Sequence, residues 1–359
     1  MRIVHVINSL ATGGAETLVV DLAREAEKNG DEAEIVTLVE QDGSPLRQAK
    51  EYGIKVTALG KSMRSPLLPA KLNNATRHAD VVHVHLFPAQ YMAAIFPKKP
   101  LLFTEHSSWN RRMEKRFLQP LESWVYAQYQ SVFAISTGVL KISREYLHTL
   151  RVHTPVVEAR NGIGEQFYAV QRPERDVSGR VVIVGSLKES KQQDLAIKAI
   201  STTPNLHLQI AGDGPLREHL ESLARDLSVE QRVEFLGQVD DIPELLAQND
   251  ILLSCSKFEG FGLVAAEAQA VGLPVIGPDV DGFNEVVIDG VTGHLYRDRD
   301  PENIGRIIMT AMEPAEYTRL SANAREHAKR FSIAESFRVQ REVYEAVIAG
   351  RPVESTDLD

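Results

Sequence analysis

Short apolar runs alternate with longer amphipathic stretches along the whole of this 359-residue chain, and no other feature narrows the fold as much. The segments 3–7, 33–39, 55–59, 81–85, 101–104 and 131–135 are apolar and too short for helices. Each is followed by a stretch long enough for a helix, the pattern of a parallel sheet covered on both faces. A second series, 180–185, 206–211, 233–237, 251–256 and 272–278, repeats the arrangement. Between them, 154–176 carries Pro155, Asn161-Gly162-Ile163-Gly164 and the charged run Arg172-Pro173-Glu174-Arg175-Asp176, a shift in composition that marks a linker. A chain of this length exceeds what one core usually holds, so the expectation is an α/β protein of two domains.

Composition removes several functional classes. At 43% hydrophobic and 25% charged residues the chain reads as an ordinary globular protein. No stretch approaches the ~18 apolar residues of a spanning helix, and the opening Met1-Arg2-Ile3-Val4-His5-Val6-Ile7 is too short for a signal peptide. The single cysteine, Cys255, excludes an internal disulfide and fits a reducing compartment, so a cytoplasmic protein is expected. Of the net charge of −9, residues 1–170 contribute +3 (20 Lys+Arg against 17 Asp+Glu) and the remainder −12 (20 against 32). The first half is therefore the one suited to an anionic surface, whereas a pI near 5.7 lacks the basic footprint of a nucleic-acid binder.

The stretch richest in chemistry is Lys257-Phe258-Glu259-Gly260-Phe261-Gly262-Leu263-Val264-Ala265-Ala266-Glu267-Ala268. A buried strand before it runs into a glycine corner where Gly260 and Gly262 let the backbone approach a ligand. A helix beginning near Leu263 then points its free amides and positive dipole end back at that corner. Glu259 and Glu267 stand before and inside the helix, very roughly 10 Å apart at ~1.5 Å rise per residue. That spacing suits two ends of one elongated polar ligand better than a carboxylate pair sharing a proton or a metal.

In the setting F-E-G-F-G-L-V-x-x-E-A, Glu259 and Glu267 resemble the E-x7-E signature of the retaining glycosyltransferases of the GT-B class called family 4. The resemblance implies two Rossmann-like domains facing across a cleft: an acceptor domain, 1–165, and a nucleotide-sugar donor domain, 166–335. Residues 336–359 would form a C-terminal helix returning to the first domain, plus a solvated tail from 351. It further implies transfer of a hexosyl group from a nucleoside-diphosphate sugar, UDP favoured and GDP possible, to an acceptor hydroxyl. Retention of configuration and chemistry without a metal or other cofactor belong to the same expectation. The acceptor would be a glycan or a lipid-linked glycan at the inner face of the cell membrane, in cell-surface polysaccharide or lipid-linked glycan synthesis. By the same resemblance Lys191, the helix amides after Gly260 and an amide near Gly14 hold the diphosphate, with Phe261, Gly262 and Leu263 in the same corner. Glu259 binds donor-sugar hydroxyls, Glu267 the ribose, and backbone around Gly237-Gln238-Val239 the base. The chain departs from the family at Gly185-Ser186-Leu187-Lys188-Glu189-Ser190-Lys191, where Ser186 replaces the arginine of G-R-L-x-x-x-K.

Other features take their place around this motif. The loop Asn8-Ser9-Leu10-Ala11-Thr12-Gly13-Gly14-Ala15-Glu16 follows a strand and precedes a helix, a phosphate-cradling arrangement without the G-x-G-x-x-G spacing of a dinucleotide site. It resembles the G-G-A-E loop of family 4. His83 and His85 share one face of a strand; without a third ligand at matching spacing, histidines lining a polar cleft outrank a metal site. His106 follows a strand end, where open parallel sheets hold ligands, and the resemblance places a histidine there that approaches the transferred sugar. Along 109–124, Met113, Phe117, Leu121 and Trp124 fall on one helical face with Arg111, Arg112, Lys115 and Arg116 off it, the pattern of an interfacial helix or equally of an ordinary surface helix, with a kink at Pro120. Asp279-Val280-Asp281 reads as an incidental D-x-D. Two other readings stay open: a same-fold sugar-nucleotide epimerase, and a non-catalytic nucleotide-sugar binding protein.

Overall fold

The computed structural model describes residues 1–107, 112–172 and 176–357. The chain divides into two compact units, one formed by Met1–Gly162 with Ile333–Asp359, the other by Ile163–Ser332. Both are built on parallel sheets flanked by helices, as the alternating pattern predicts.

In the first unit the strands are β1 (Arg2–Ile7), β2 (Glu32–Thr37), β3 (Lys55–Ala58), β4 (Val81–His85), β5 (Leu101–Glu105), β6 (Ser131–Ala134) and β7 (Val156–Glu158). Their order in the sheet is β3-β2-β1-β4-β5-β6-β7, all neighbours parallel. The order reverses direction between β1 and β4, the switch point at which doubly wound sheets bind ligands. Val, Ile and Leu of β1, β2, β4 and β5 are fully buried, because helices on both faces leave no polar side for these strands. The C-terminal helix Ile333–Ile348 belongs to this unit and packs on the helix Gly14–Lys28. Arg341 pairs with buried Asp31 at 2.9 Å, and Tyr344 is fully buried. A side chain at Gly162 would lie 2.5 Å from the Ile333 backbone, so the glycine lets this helix seat closely.

The second unit contains β8 (Arg180–Val184), β9 (His207–Ala211), β10 (Val233–Gly237), β11 (Ile251–Leu253), β12 (Val275–Pro278) and β13 (Gly293–Tyr296), ordered β10-β9-β8-β11-β12-β13. Its switch point lies between β8 and β11. The short strands β7 and β13 have no counterpart in the sequence reading: each is three or four residues long, too short for a periodic signal to rise above its loop context.

One expectation is extended here and one corrected. The segment from 351 is largely exposed, as expected of a solvated tail, but it is not free over its described length. Thr356 donates its backbone amide to Val156 O at 3.0 Å and accepts from the Glu158 amide at 2.9 Å, while Ser355 Oγ accepts from the Val156 amide at 3.1 Å. It thereby covers the exposed edge of β7, an edge otherwise open to strand addition. The 109–124 helix is not continuous either. Residues 109–111 lie outside the described residues, Arg116–Leu118 is a 3-10 turn, and the α-helix is only Gln119–Tyr126. Pro120 sits in its first turn, where a missing N–H costs nothing, so the proline starts the helix rather than kinking it.

Candidate active site

The loops that follow β8 and β11 meet at the switch point of the second unit. Lys191 Nζ lies 2.5 Å from Glu259 Oε1, and the same oxygen accepts from Ser256 Oγ at 2.7 Å. The backbone ties the loops as well, through Lys257 N to Ser190 O at 2.8 Å. Arg299, unmarked in the sequence reading, donates to Gln192 Oε1 at 2.5 Å and to the carbonyls of Cys255 and Ser256 at 2.9 Å. Its guanidinium thus braces both loops from behind, while the Lys191 and Glu259 side chains keep 32% and 18% exposure. Removing the carboxylate therefore leaves a nearby ammonium without its counter-ion.

Beside this pair the helix Leu263–Val271 begins at Gly262, whose φ of 89° suits glycine, with no side chain capping it. Its amide row and dipole end face the glycine corner, an arrangement that attracts anions. Gly282 presses against the same corner: a Cβ there would stand 2.6 Å from Glu259 O and 2.7 Å from the Gly260 carbonyl carbon. On the other side Gly212 crosses Gly185, where a Cβ would meet Gly185 O at 2.1 Å, and Gly212 N donates to Gly237 O at 2.6 Å. Gly185, Ser186, Lys191, Gly237, Glu259 and Gly262 are thus gathered by the loops at the C-terminal ends of neighbouring strands. Val239 follows Gly237 and is partly exposed. Glu267 is 8% exposed on the buried face of its helix. Phe261 is a core side chain, edge-on to Phe331 at 5.5 Å, so only its backbone remains for a ligand. In the D-x-D, Asp279 is occupied by Arg297 at 2.9 Å and Asn284 at 3.0 Å, and the Arg297 hydrogen bond holds its carboxyl below the usual range.

In the first unit the loop after β1 is tied to the chain after β4 by Asn8 Nδ2 to Phe87 O at 2.7 Å. Gly14 opens the following helix, and the Glu16 carboxylate folds over Gly13, its pKa raised by burial. His83 and His85 do not line an open surface, as the sequence reading expects; both are fully buried, and His5, opposite His83 on β1, joins them. This third imidazole was invisible to motif reading because it lies 78 residues from His83. The three are close enough to gather a metal ion, yet five of their six ring nitrogens are hydrogen-bonded to protein. His83 meets Tyr344 Oη and Thr104 Oγ1, each at 2.6 Å, and His85 meets His5 and His106, each at 3.2 Å. His106 is the partly exposed end of the group.

The chain's resemblances agree with this geometry. Residues 167–327 match the family described as glycosyl transferases group 1, and residues 12–163 that described as glycosyltransferase family 4. Glycogen synthase of Mycobacterium tuberculosis is 30% identical over 290 residues, 75% of this chain and 69% of that one. This chain is a family 4 glycosyltransferase. N-acetyl-alpha-D-glucosaminyl L-malate synthase of Bacillus anthracis is 37% identical over a shorter match, 164 residues, which covers 45% of this chain and 42% of the relative. Among solved structures, Anabaena HepE in complex with UDP and glucose superposes with a TM-score of 0.83 at 22% identity, covering 97% of this chain and all of that one. The likeness supports the GT-B fold assignment.

Two features of this glycosyltransferase bear on its surface, where the sequence predicts exposed cations, and on its acid stability. Arg112 does not project as a surface cation: it stacks 4.4 Å over Phe87, lies 3.7 Å from buried Glu122 and keeps 16% exposure. Three helices packed in series, Leu68–Ala75, Ala89–Ile95 and Gln119–Tyr126, instead leave apolar side chains in water at or beside their ends: Leu67, Ile95, Phe96, Phe117, Leu121 and Trp124. Among the described residues no helix is long and apolar enough to cross a membrane.

Burial lowers the pKa of His5 to about 4, and the same desolvation acts on His83 and His85. An unfolded histidine titrates near ~6.5, so between these values the unfolded chain binds more protons. Stability is whole above the unfolded value and is lost as pH falls towards the folded one. Urea unfolding should therefore reveal a loss of about 2 kcal/mol from His5 alone between pH 7 and pH 5. A His5→Leu variant whose stability falls as steeply over that range would show that the loss arises elsewhere.

Proposed function

We propose that this family 4 enzyme transfers a hexosyl group from a nucleoside-diphosphate sugar, UDP-linked by preference, to an acceptor hydroxyl with retention of configuration. The observation that carries the reading is the Lys191–Glu259 pair, set at the switch point beside the uncapped helix start at Gly262. Departure of a nucleoside diphosphate accumulates negative charge while the sugar becomes cationic, so fixed positive groups aimed at the leaving group are the main catalytic device. Lys191 and the amides of the Leu263–Val271 helix supply them without a metal or other cofactor. Glu259 then turns to the sugar hydroxyls, Glu267 to the ribose, and the backbone at Gly237 and Val239 to the base. The second unit is thus the donor domain, and the first, with His106 and the Gly14 loop, the acceptor domain. UDP is favoured because HepE, of the same fold, was crystallised with UDP and glucose.

Incubation with a panel of nucleotide sugars, followed by native mass spectrometry, identifies the donor. Release of nucleoside diphosphate that depends on added acceptor is the expected result. Conversion of the nucleotide sugar without acceptor would instead make the protein an epimerase, and binding without any release a non-catalytic receptor.

The acceptor proposed is a glycan or lipid-linked glycan at an anionic membrane, and the exposed apolar side chains of the first unit support it. Lys98, Lys115 and Arg116 are exposed beside Phe96 and Phe117, with Lys99 half-buried next to them, and each cation near an anionic surface contributes about 1 kcal/mol. Liposome sedimentation should show binding to anionic vesicles that Phe117→Asp with Trp124→Asp abolishes. Unchanged sedimentation of this double variant would remove the membrane from the proposal.

A further inference from the structure

Three imidazoles in the first unit form a chain of hydrogen bonds that begins in the core and ends at the surface. His5 Nδ1 and His85 Nε2 are 3.2 Å apart, as are His85 Nδ1 and His106 Nε2. A neutral imidazole carries one N–H and one lone pair, so only two proton arrangements satisfy both links, and each fixes all three tautomers together. Neutrality follows from burial, which pushes His5 and His106 down to about 4 and His85 well below its usual value. The choice between the two arrangements is made at the inner end. His5 Nε2 is buried without a partner, and a buried N–H lacking an acceptor is rarer in proteins than an unshared acceptor. The proton of His5 therefore sits on Nδ1 and is donated to His85. His85 in turn carries its proton on Nδ1 and donates to His106, whose own proton is then on Nδ1.

We propose that His5 and His85 are positioning residues that hold His106 as its Nδ1–H tautomer, making it a hydrogen-bond donor to a ligand oxygen. Among the described residues His106 Nδ1 has no partner, and His106 alone of the group is partly exposed. His83 supports the arrangement from the side. Its ring stacks on His85 with centroids 4.2 Å apart and planes at 36°, and it is itself fixed by Tyr344 of the C-terminal helix and Thr104 of β5. The oxygen this donor serves is a hydroxyl of a bound ligand, a statement that rests on the function proposed above; the tautomer does not. A base role for His106 is excluded, since its outward nitrogen has no lone pair to offer.

Two-bond proton–nitrogen correlation spectra of the full-length protein, labelled with nitrogen-15 at histidine and recorded near neutral pH, read the tautomer directly. Loss of one signal in His106→Gln assigns it. The wild-type spectrum should show a protonated Nδ1 and a bare Nε2 at His106. His5→Phe and His85→Phe should each release His106 towards the Nε2–H form and lower kcat about tenfold or more with donor KM unchanged, a loss within the range for misplaced catalytic groups. His5→Gln, whose amide still donates to His85 Nε2, should restore both. An Nε2–H tautomer in the wild type, a His106 signal indifferent to both phenylalanine substitutions, or stoichiometric zinc bound across the three buried imidazoles would overturn the inference. The wild-type spectrum and metal content need no core substitution, so a variant that fails to fold leaves the test intact. A normal transfer rate in His106→Ala would refute the assignment of His106 to a ligand hydroxyl, and the spectra would still decide the hydrogen-bond chain.

Discussion

Glu259→Gln should abolish transfer while leaving the affinity for the free nucleoside diphosphate unchanged or raised. The carboxylate lies 2.5 Å from Lys191 Nζ, so the cation that the leaving group needs is paired with an anion in the free protein. On the proposed roles, donor binding redirects both groups, the ammonium to phosphate and the carboxylate to sugar hydroxyls. Glutamine keeps the shape and loses the charge, which frees Lys191 for phosphate but removes the strongest acceptor for the sugar hydroxyls. Both side chains are partly exposed and screened by water, so any gain in diphosphate affinity should be no more than a few-fold. Glu267→Ala should act in the opposite sense and weaken nucleotide binding itself. Calorimetry with the free diphosphate separates the two, and an equal loss of affinity in both variants would overturn the assignment of roles.

Lys191→Ala should lower the transfer rate at least ~100-fold, the loss typical of removing one preorganised group that stabilises developing charge. The expectation is large because Ser186 stands where the resemblance to the family implies an arginine. A guanidinium makes two charge-assisted bonds to phosphate, and a serine hydroxyl makes one neutral bond. The substitution also leaves Glu259 as an unpaired negative charge beside an incoming diphosphate. Lys188 offers little compensation: its side chain is exposed, while its carbonyl accepts from the Lys191 amide at 2.9 Å and so holds the turn. Lys188→Ala should therefore reduce the rate measurably less. Kinetics at saturating donor decide the matter, and a Lys191→Ala enzyme with near wild-type turnover would mean that the diphosphate is held by other groups.

Much of this was written locally. Apolar runs of strand length between helical stretches determined two parallel sheets, because a strand covered on both faces leaves a continuous apolar trace. Gly260, Gly262 and the helix start at Leu263 were legible for a similar reason: a tight corner before a helix is specified within a few residues. Pro120 was not. The same residue opens a helix or breaks one according to where the helix begins, and that depends on how the preceding turn packs.

Tertiary structure alone decided which charges and imidazoles meet. Lys191 and Glu259 are 68 residues apart, and their contact exists because β8 and β11 became neighbours when the sheet reversed its order. Arg299 reaches both loops from beyond β13, and Thr356 finds the edge of β7 from the far end of the chain. The histidines are the plainest case. Alternation along β4 placed His83 and His85 on one face, but whether that face was wet or buried depended on the helix Ile333–Ile348 that covers it. A side chain's protonation and its partners follow from what is packed against it, and that is settled by sheet order and by covering helices remote in sequence.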